Sequence, residues 1–469
     1  MQNLLQWSLI LASSLLLLWI APWAKDKAAF FQAKQQGKAP QTWALLGSLV
    51  ISWLFAKSIT NAANLGYSYG LVGGVAYAAY YLSFAVAGLV IYRLRTVGGF
   101  GSLHHYLNDR FGRSALWIFS ALIALRLFQE VWSNTLVIGS YFGDKWSFEF
   151  YAAILVFTAL TLWYSLKGGM SSSILTDLIQ LAFFGVLLII ILALILPKSA
   201  GGISTYLNSG EWTMAQGGNL LLLAIIQSLS YPFHDPVLTD RAFLSDPKSS
   251  RKAFMWATPI GGLGIILFSF VGIYGQQQGL TGASDAPVFV AESFGLLMML
   301  IMNFIMVTSA ASTLDSTFAS FAKLTVVDMG NPRKVSVSRG RIAMVVVALV
   351  GSLPILLQPE IITATTLSGT MVMGLAPVFL LWWLKAPPLS FYLSVGIGLL
   401  LGILLLLELY PESFVFNEGK YAADLVMNAI GLVLCFLGFL LPYWWTSVFP
   451  SSAREKQQLA THQNFLQAK

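Results

Sequence analysis

One cysteine, four histidines and a charged fraction of only 10% are what this 469-residue chain has little of. Cys435 alone cannot close an intramolecular disulfide, so the fold is held by packing. So little charge, beside 57% hydrophobic residues and a mean hydropathy of +0.73, excludes an ordinary soluble domain. No long polar stretch leaves room for a separate soluble unit; one membrane domain is expected over residues 1–469, with a polar tail at 451–469. The net charge of +7 does not mark a nucleic-acid binder, because the basic residues sit between apolar segments and not on one soluble face. The stretch from Leu4 to Trp23 lacks a basic n-region and a small-residue cleavage site, and reads as a retained helix. His104-His105 is the one cluster that hints at an enzyme. No nucleophile–base pair or metal-ligand spacing accompanies it, and it reads as a surface or interfacial pair.

What the chain has in quantity is apolar runs. Windows of about 20 residues predict an all-α polytopic membrane protein with thirteen spans. Their limits are 3–23, 42–65, 68–93, 114–142, 147–166, 172–197, 217–242, 251–275, 291–323, 340–358, 361–384, 388–409 and 422–446. Lys and Arg fall almost wholly in one set of alternate loops, which includes Lys25 to Lys38, Arg93 to Arg113, Arg241 to Lys252, Lys323 to Arg341 and Arg454 to Lys469. The opposite set has only Lys145, Lys198 and Lys420. That asymmetry puts the N-terminus outside and the C-terminus in the cytoplasm, with a bacterial inner membrane as the expected location.

Two spans are interrupted. The second contains Lys57-Ser58-Ile59-Thr60-Asn61-Ala62-Ala63-Asn64, and the seventh contains Tyr231-Pro232-Phe233-His234-Asp235-Pro236. Two prolines remove two backbone donors and free carbonyls at membrane depth, which survives only under cover of protein or a water-filled cavity. The breaks lie five spans apart, as two inverted five-helix repeats at 42–197 and 217–384 would place them, flanked by one extra helix before and two after. A pair of ordinary proline kinks is the alternative.

The ninth span ends in hydroxyls: Thr308, Ser309, Ser312, Thr313, Ser316, Thr317 and Ser320 surround Asp315. Oxygens gathered at one depth are a means of stripping water from a small cation, although Ser and Thr also serve as packing glue between helices. Ionisable groups at depth need partners, since each costs roughly 2.5–3.5 kcal/mol even on a forgiving scale. Arg126 and Glu130 are four apart on one helical face, and Lys57 and Asp235 lie in the two broken helices. Either these two pairs neutralise each other, or one cation is left for a solute.

Several short stretches in one order carry a family resemblance: Gly66-Tyr67-Ser68-Tyr69-Gly70-Leu71, Ser102-Leu103-His104-His105-Tyr106-Leu107-Asn108-Asp109-Arg110-Phe111-Gly112, Gly168-Gly169-Met170 with Thr176-Asp177-Leu178-Ile179-Gln180, Asp240-Arg241, and Thr308 through Ser316 followed by Val327-Asp328 and Ser338-Arg339. Over residues 40–345 the chain resembles the sodium:solute symporter family, which implies a LeuT-like fold and Na+ as the coupled ion. In relatives a sodium ion lies between the first and eighth core helices. Carried over, its ligands are the hydroxyls of Thr308 and Ser309 and the carbonyls of Ile51, Leu54 and Ile305. Five neutral oxygens suit a hard cation that must load and leave. Asp177 and Ser312 match part of a second sodium site that some relatives have, but Ala311 replaces one of its hydroxyls.

The resemblance places the solute between the broken helices, with Ser228 and Tyr231 on the seventh span and Tyr231 as the inner gate. Trp53 and Ser58 stand where a sugar-transporting relative has asparagine and glutamine, so a hexose is not expected. Arg126 lies on the helix where a sialic acid relative holds a carboxylate, and a guanidinium fits that group bidentately. With Lys57, Glu130 and Asp235 around it, the expected cargo is a small carboxylate-bearing solute, an amino acid or organic acid, moved by alternating access. Proton coupling through His234 or Asp235, a sugar-type symporter of the same fold and a solute sensor are the alternatives.

Overall fold

The computed structural model describes residues 2–34, 36–282, 285–357, 368–415 and 417–448. The expected polar tail at 451–469 and the first part of the span expected at 361–384 lie outside the described residues. Among the described residues nine helices are long and apolar enough to cross a membrane, and a tenth crossing is a bent pair. Two shorter apolar helices, Leu4–Ile20 and Met214–Gln227, fall on most of the first expected span and on the first part of the seventh.

The elements that build the site are α1 (Thr42–Trp53), α2 (Ala56–Tyr69), α3 (Leu71–Thr96, with a 3-10 turn at Ala79–Tyr81), α4 (Arg113–Gly139), α5 (Phe148–Gly168) and α6 (Met170–Ile195). They continue with α7 (Asn219–Gln227), α8 (Pro236–Arg241), α9 (Pro247–Gln277) and α10 (Leu296–Lys323).

The break between α1 and α2 needs no proline. The last turn of α1 closes on the bond from Leu54 N–H to Val50 O, Leu54 then leaves the helical region at ψ 47°, and Phe55 is extended; the two helices meet at 56°. Helix ends leave backbone groups unmatched. Other helices take up two of them: Asn134 Oδ1 accepts from Lys57 N–H at 3.1 Å, and the Tyr81 hydroxyl donates to Trp53 O at 2.5 Å. The polar stretch after the break is buried from Ala56 to Ala63. Close backbone approach covers it, since a Cβ added at Gly272 of α9 would sit 1.7 Å from Ala63 O.

The seventh expected span breaks where its prolines fall. After α7 comes a 3-10 turn at Tyr231–His234, and then Asp235 caps α8 by accepting from Leu238 N–H at 3.3 Å. The ninth expected span, 291–323, is not one helix. Gly295, at φ 83°, ends a separate helix at Ala286–Phe294, and α10 begins after it. A left-handed glycine terminates a helix without the Cβ clash other residues would meet.

Candidate substrate and ion sites

The two helix breaks meet. Trp53 at the end of α1 donates its indole N–H to Asp235 Oδ2 at 3.1 Å. Around this contact the rings of Trp53, Tyr77, Tyr80, Tyr81 and Tyr231, with Phe55 and Ser58, line a small buried cavity. The rings stand edge to face: Trp53 is 5.6 Å from Tyr81 and 5.8 Å from Tyr231, and Tyr77 is 5.6 Å from Tyr80. Tyr231 and Ser58 are therefore pocket residues. Ser228 is buried at the end of α7, where its hydroxyl donates to Ile225 O at 2.7 Å, and it is not among the residues lining this cavity.

Beside the cage lies a buried network of four charges. Lys57 Nζ reaches Glu130 Oε1 at 2.7 Å, Arg126 Nη1 faces the same carboxylate, and Arg126 Nη2 reaches Asp235 Oδ2 at 3.3 Å. The expected pair of Arg126 with Glu130 forms. The expected pair of Lys57 with Asp235 does not: Lys57 turns to Glu130, and Asp235 is held by Arg126 and Trp53. Asn134 Nδ2 fixes Glu130 Oε2 at 2.8 Å. The guanidinium also packs 5.3 Å from the Tyr231 ring. Its Nε is buried and has no hydrogen-bond partner among the described residues. His234 directs Nδ1 to Tyr231 O at 2.6 Å and has Nε2 buried without a partner among the described residues.

The hydroxyls of α10 divide by partner. Thr308 Oγ1 donates within its own helix, to Phe304 O at 2.9 Å and Ile305 O at 3.1 Å. Ser309 Oγ is buried and unmatched among the described residues. It shares a helical face with Ser312 and Ser316, and Ser316 lies against α1 with Oγ 3.4 Å from that of Ser52. The carbonyls of Ile51 and Leu54 belong to the last turn of α1 and its cap, where a helix has no intrahelical partners for its final carbonyls. Asp315 accepts from Tyr164 at 3.0 Å and from Thr176 Oγ1 at 2.8 Å.

Asp177 has a cation already. Arg241 Nη2 reaches its Oδ2 at 3.0 Å, and the hydroxyls of Ser48 and Ser312 donate to its two oxygens. The same guanidinium donates to Val237 O at 2.6 Å, to Ser316 Oγ at 2.7 Å and to Ser48 Oγ. Counting Arg241 among the loop charges does not hold: it is fully buried. Of the histidine pair, His105 is exposed and His104 is partly buried. His104 lines a cavity of about 340 Å3 on the Lys/Arg-rich side, with Nδ1 3.9 Å from Asp328. There Lys323 bridges Asp240 at 2.6 Å and Asp328 at 3.0 Å.

Sequence reasoning missed Arg241 and the three tyrosines of α3. The signal for the latter was the spacing of Tyr77, Tyr80 and Tyr81, which places three rings on neighbouring turns of one helix.

Known proteins are similar to this chain in sequence or in fold. The sodium:solute symporter family model matches residues 37–236, from before α1 to the start of α8. The chain resembles that family. The urea active transporter of Saccharomyces cerevisiae is 25% identical over 258 residues, 48% of this chain and 33% of its own length. The sodium/glucose cotransporter 1 of Mus musculus is 26% identical over 153 residues, 31% of this chain and 22% of its own. The chain thus spans a third or less of these relatives. Two solved structures show the fold over nearly the whole length. One is a Na+-coupled sialic acid symporter in a substrate-bound outward-open state, with a TM-score of 0.71, 16% identity and coverage of 96% of this chain and 98% of that one. The other is Mhp1, a nucleobase-cation-symport-1 family transporter in a closed conformation, with a TM-score of 0.60, 15% identity and coverage of 93% and 98%. The matched family and these neighbours are transporters, not enzymes.

Proposed function

We propose that this protein is a secondary active transporter that couples inward sodium movement to uptake of a small carboxylate-bearing solute by alternating access. The observation that carries the reading is the meeting of two broken helices beside an aromatic cavity, with the buried Ser309 hydroxyl of α10 unmatched among the described residues. Sodium would sit between α1 and α10, on Ile51 O, Leu54 O, Ile305 O, Thr308 and Ser309. The free Ser309 hydroxyl supports this, because a buried polar atom without a partner costs stability unless a ligand completes it. A single ion is favoured: Arg241 supplies the positive charge at Asp177 that a second sodium would bring.

The solute would lie against Tyr231, its carboxylate on the unmatched Nε of Arg126. Thirteen spans in two inverted repeats, N-terminus outside, put the cavity at Lys323 and Asp328 on the cytoplasmic side, as the release vestibule. Sodium drives the cycle if it binds the solute-competent state better than the other.

The test is uptake by proteoliposomes under an imposed sodium or proton gradient, with amino acids, organic acids and sugars offered in turn. Sodium-driven uptake of a carboxylate is expected. Uptake driven by protons alone contradicts the sodium site and favours His234 as carrier; sugar uptake contradicts the role of Arg126. In the same assay Arg126→Leu abolishes uptake and leaves sodium binding intact.

A further inference from the structure

Resting on the reading above, we propose that the cage at the helix breaks takes a quaternary ammonium group, so that the transported carboxylate is a betaine, an amino acid with a fully methylated nitrogen. The argument begins with what the cage lacks. Its polar groups are engaged by protein: Tyr80 donates to Gln227 Oε1 at 2.8 Å, Tyr81 to Trp53 O, and Trp53 Nε1 to Asp235, while the Tyr77 hydroxyl receives Asn61 Nδ2 at 3.2 Å. The Tyr231 hydroxyl turns to Ser368. The Ser58 hydroxyl lies 3.3 Å from that of Tyr77, and the rest of the lining is ring surface.

A sugar entering such a box buries several hydroxyls without partners, and a primary ammonium buries three N–H donors. A trimethylammonium carries the same positive charge with no N–H to satisfy, and ring faces attract it through their quadrupoles. The charges next door fit the other end of the molecule. Arg126 packs 5.3 Å from the Tyr231 ring, which also lines the box, and its Nε is unmatched among the described residues, so the carboxylate of the same solute is assigned to it while the head sits among the rings. Lys57 and Arg126 stand over the Phe55 and Tyr231 rings at 4.8 and 5.3 Å, but each is paired with a carboxylate, so the network beside the box brings no net positive charge against the solute's own.

The test uses the full chain purified in detergent and calorimetric titration with four probes, in sodium and in potassium buffer. Glycine betaine carries the head and the carboxylate; 3,3-dimethylbutanoate has the same shape with a neutral carbon in place of nitrogen; glycine has the primary amine; glucose has neither group. In sodium, glycine betaine is expected to bind at least tenfold tighter than each of the other three. Tyr80→Phe, which keeps the ring, retains that preference, and Tyr80→Leu reduces betaine affinity at least tenfold. If glycine or the neutral isostere binds as well as glycine betaine, or if glycine betaine does not bind while another carboxylate does, the proposal is overturned and sodium-coupled carboxylate transport stands. Betaine binding that is equal in potassium and sodium instead overturns sodium coupling and leaves the cage assignment in place.

Discussion

Two of the buried charge clusters among the described residues, around Arg126 and around Arg241, are built in opposite ways. Around Arg126 two cations and two carboxylates neutralise each other with few hydroxyls, and one guanidinium N–H stays unmatched. Around Arg241 a single ion pair is bathed in the hydroxyls of Ser48, Ser173, Ser312 and Ser316, and every nitrogen of the guanidinium has a partner. The first cluster adjoins an aromatic cavity; the second ties α1, α6, α8 and α10 together. Buried charge with a donor left over is suited to binding, whereas buried charge with none left over is suited to holding helices in register.

The largest effect should separate the clusters by stability. Arg241→Met strands Asp177 as an unpaired buried charge, a loss of about 3–5 kcal/mol. Thermal melting of the purified protein should fall steeply, and the double variant with Asp177→Asn should recover most of the loss. A single variant that melts like the parent would break the comparison. The matching change at the other cluster, Arg126→Lys, keeps the charge and loses the planar fork. We expect the solute KM to rise on the order of 10–100-fold, with little change in melting. A change in melting with no change in KM would make both clusters structural.

His104 is a pH-sensitive group outside both clusters. Burial pushes its imidazole down to about 4. The unfolded chain takes up that proton near pH 6.5, so the folded state binds fewer protons between these values. Stability is unaffected above about 6.5 and falls as the pH drops toward 4. His104→Gln should therefore remove about 2 kcal/mol of the acid-induced loss at pH 5, read from melting at pH 5 and pH 7. An unchanged pH dependence would place the acid sensitivity elsewhere. The smallest effect concerns sodium itself. Ser309→Ala should weaken sodium binding about tenfold, or ~1.4 kcal/mol, whereas Ser312→Ala should lower melting and leave sodium affinity alone. The reverse pattern would move the ion from the α1–α10 site to Asp177.

Much of this layout was legible in the sequence because it rests on local signals. Pro232 and Pro236 break a helix wherever they lie, and the run from Lys57 to Asn64 is too polar to face lipid. The stack of hydroxyls on the ninth span was marked by its depth in an apolar helix, and the family resemblance singled out Thr308 and Ser309 within it. What was not legible depends on distant partners. Arg241 looks like a loop charge because it falls at the very end of the apolar window 217–242, yet its carboxylate lies 64 residues earlier. Lys57 and Asp235 looked matched because both stand at breaks, but Asn134 draws Glu130 to Lys57 from a third helix. The tyrosines of α3 resemble any aromatic stripe until Trp53 and Tyr231 close the other sides. At Gly295 the apolar pattern continues straight across a backbone turn that hydropathy does not register.

The central claim is that one sodium ion moves with each solute molecule. Proteoliposomes loaded without sodium and given radioactive sodium outside, with and without glycine betaine, test it directly. The account predicts solute-dependent sodium entry at a ratio of one to one, lost in Ser309→Ala. Solute entry that carries no sodium and follows a proton gradient would contradict it.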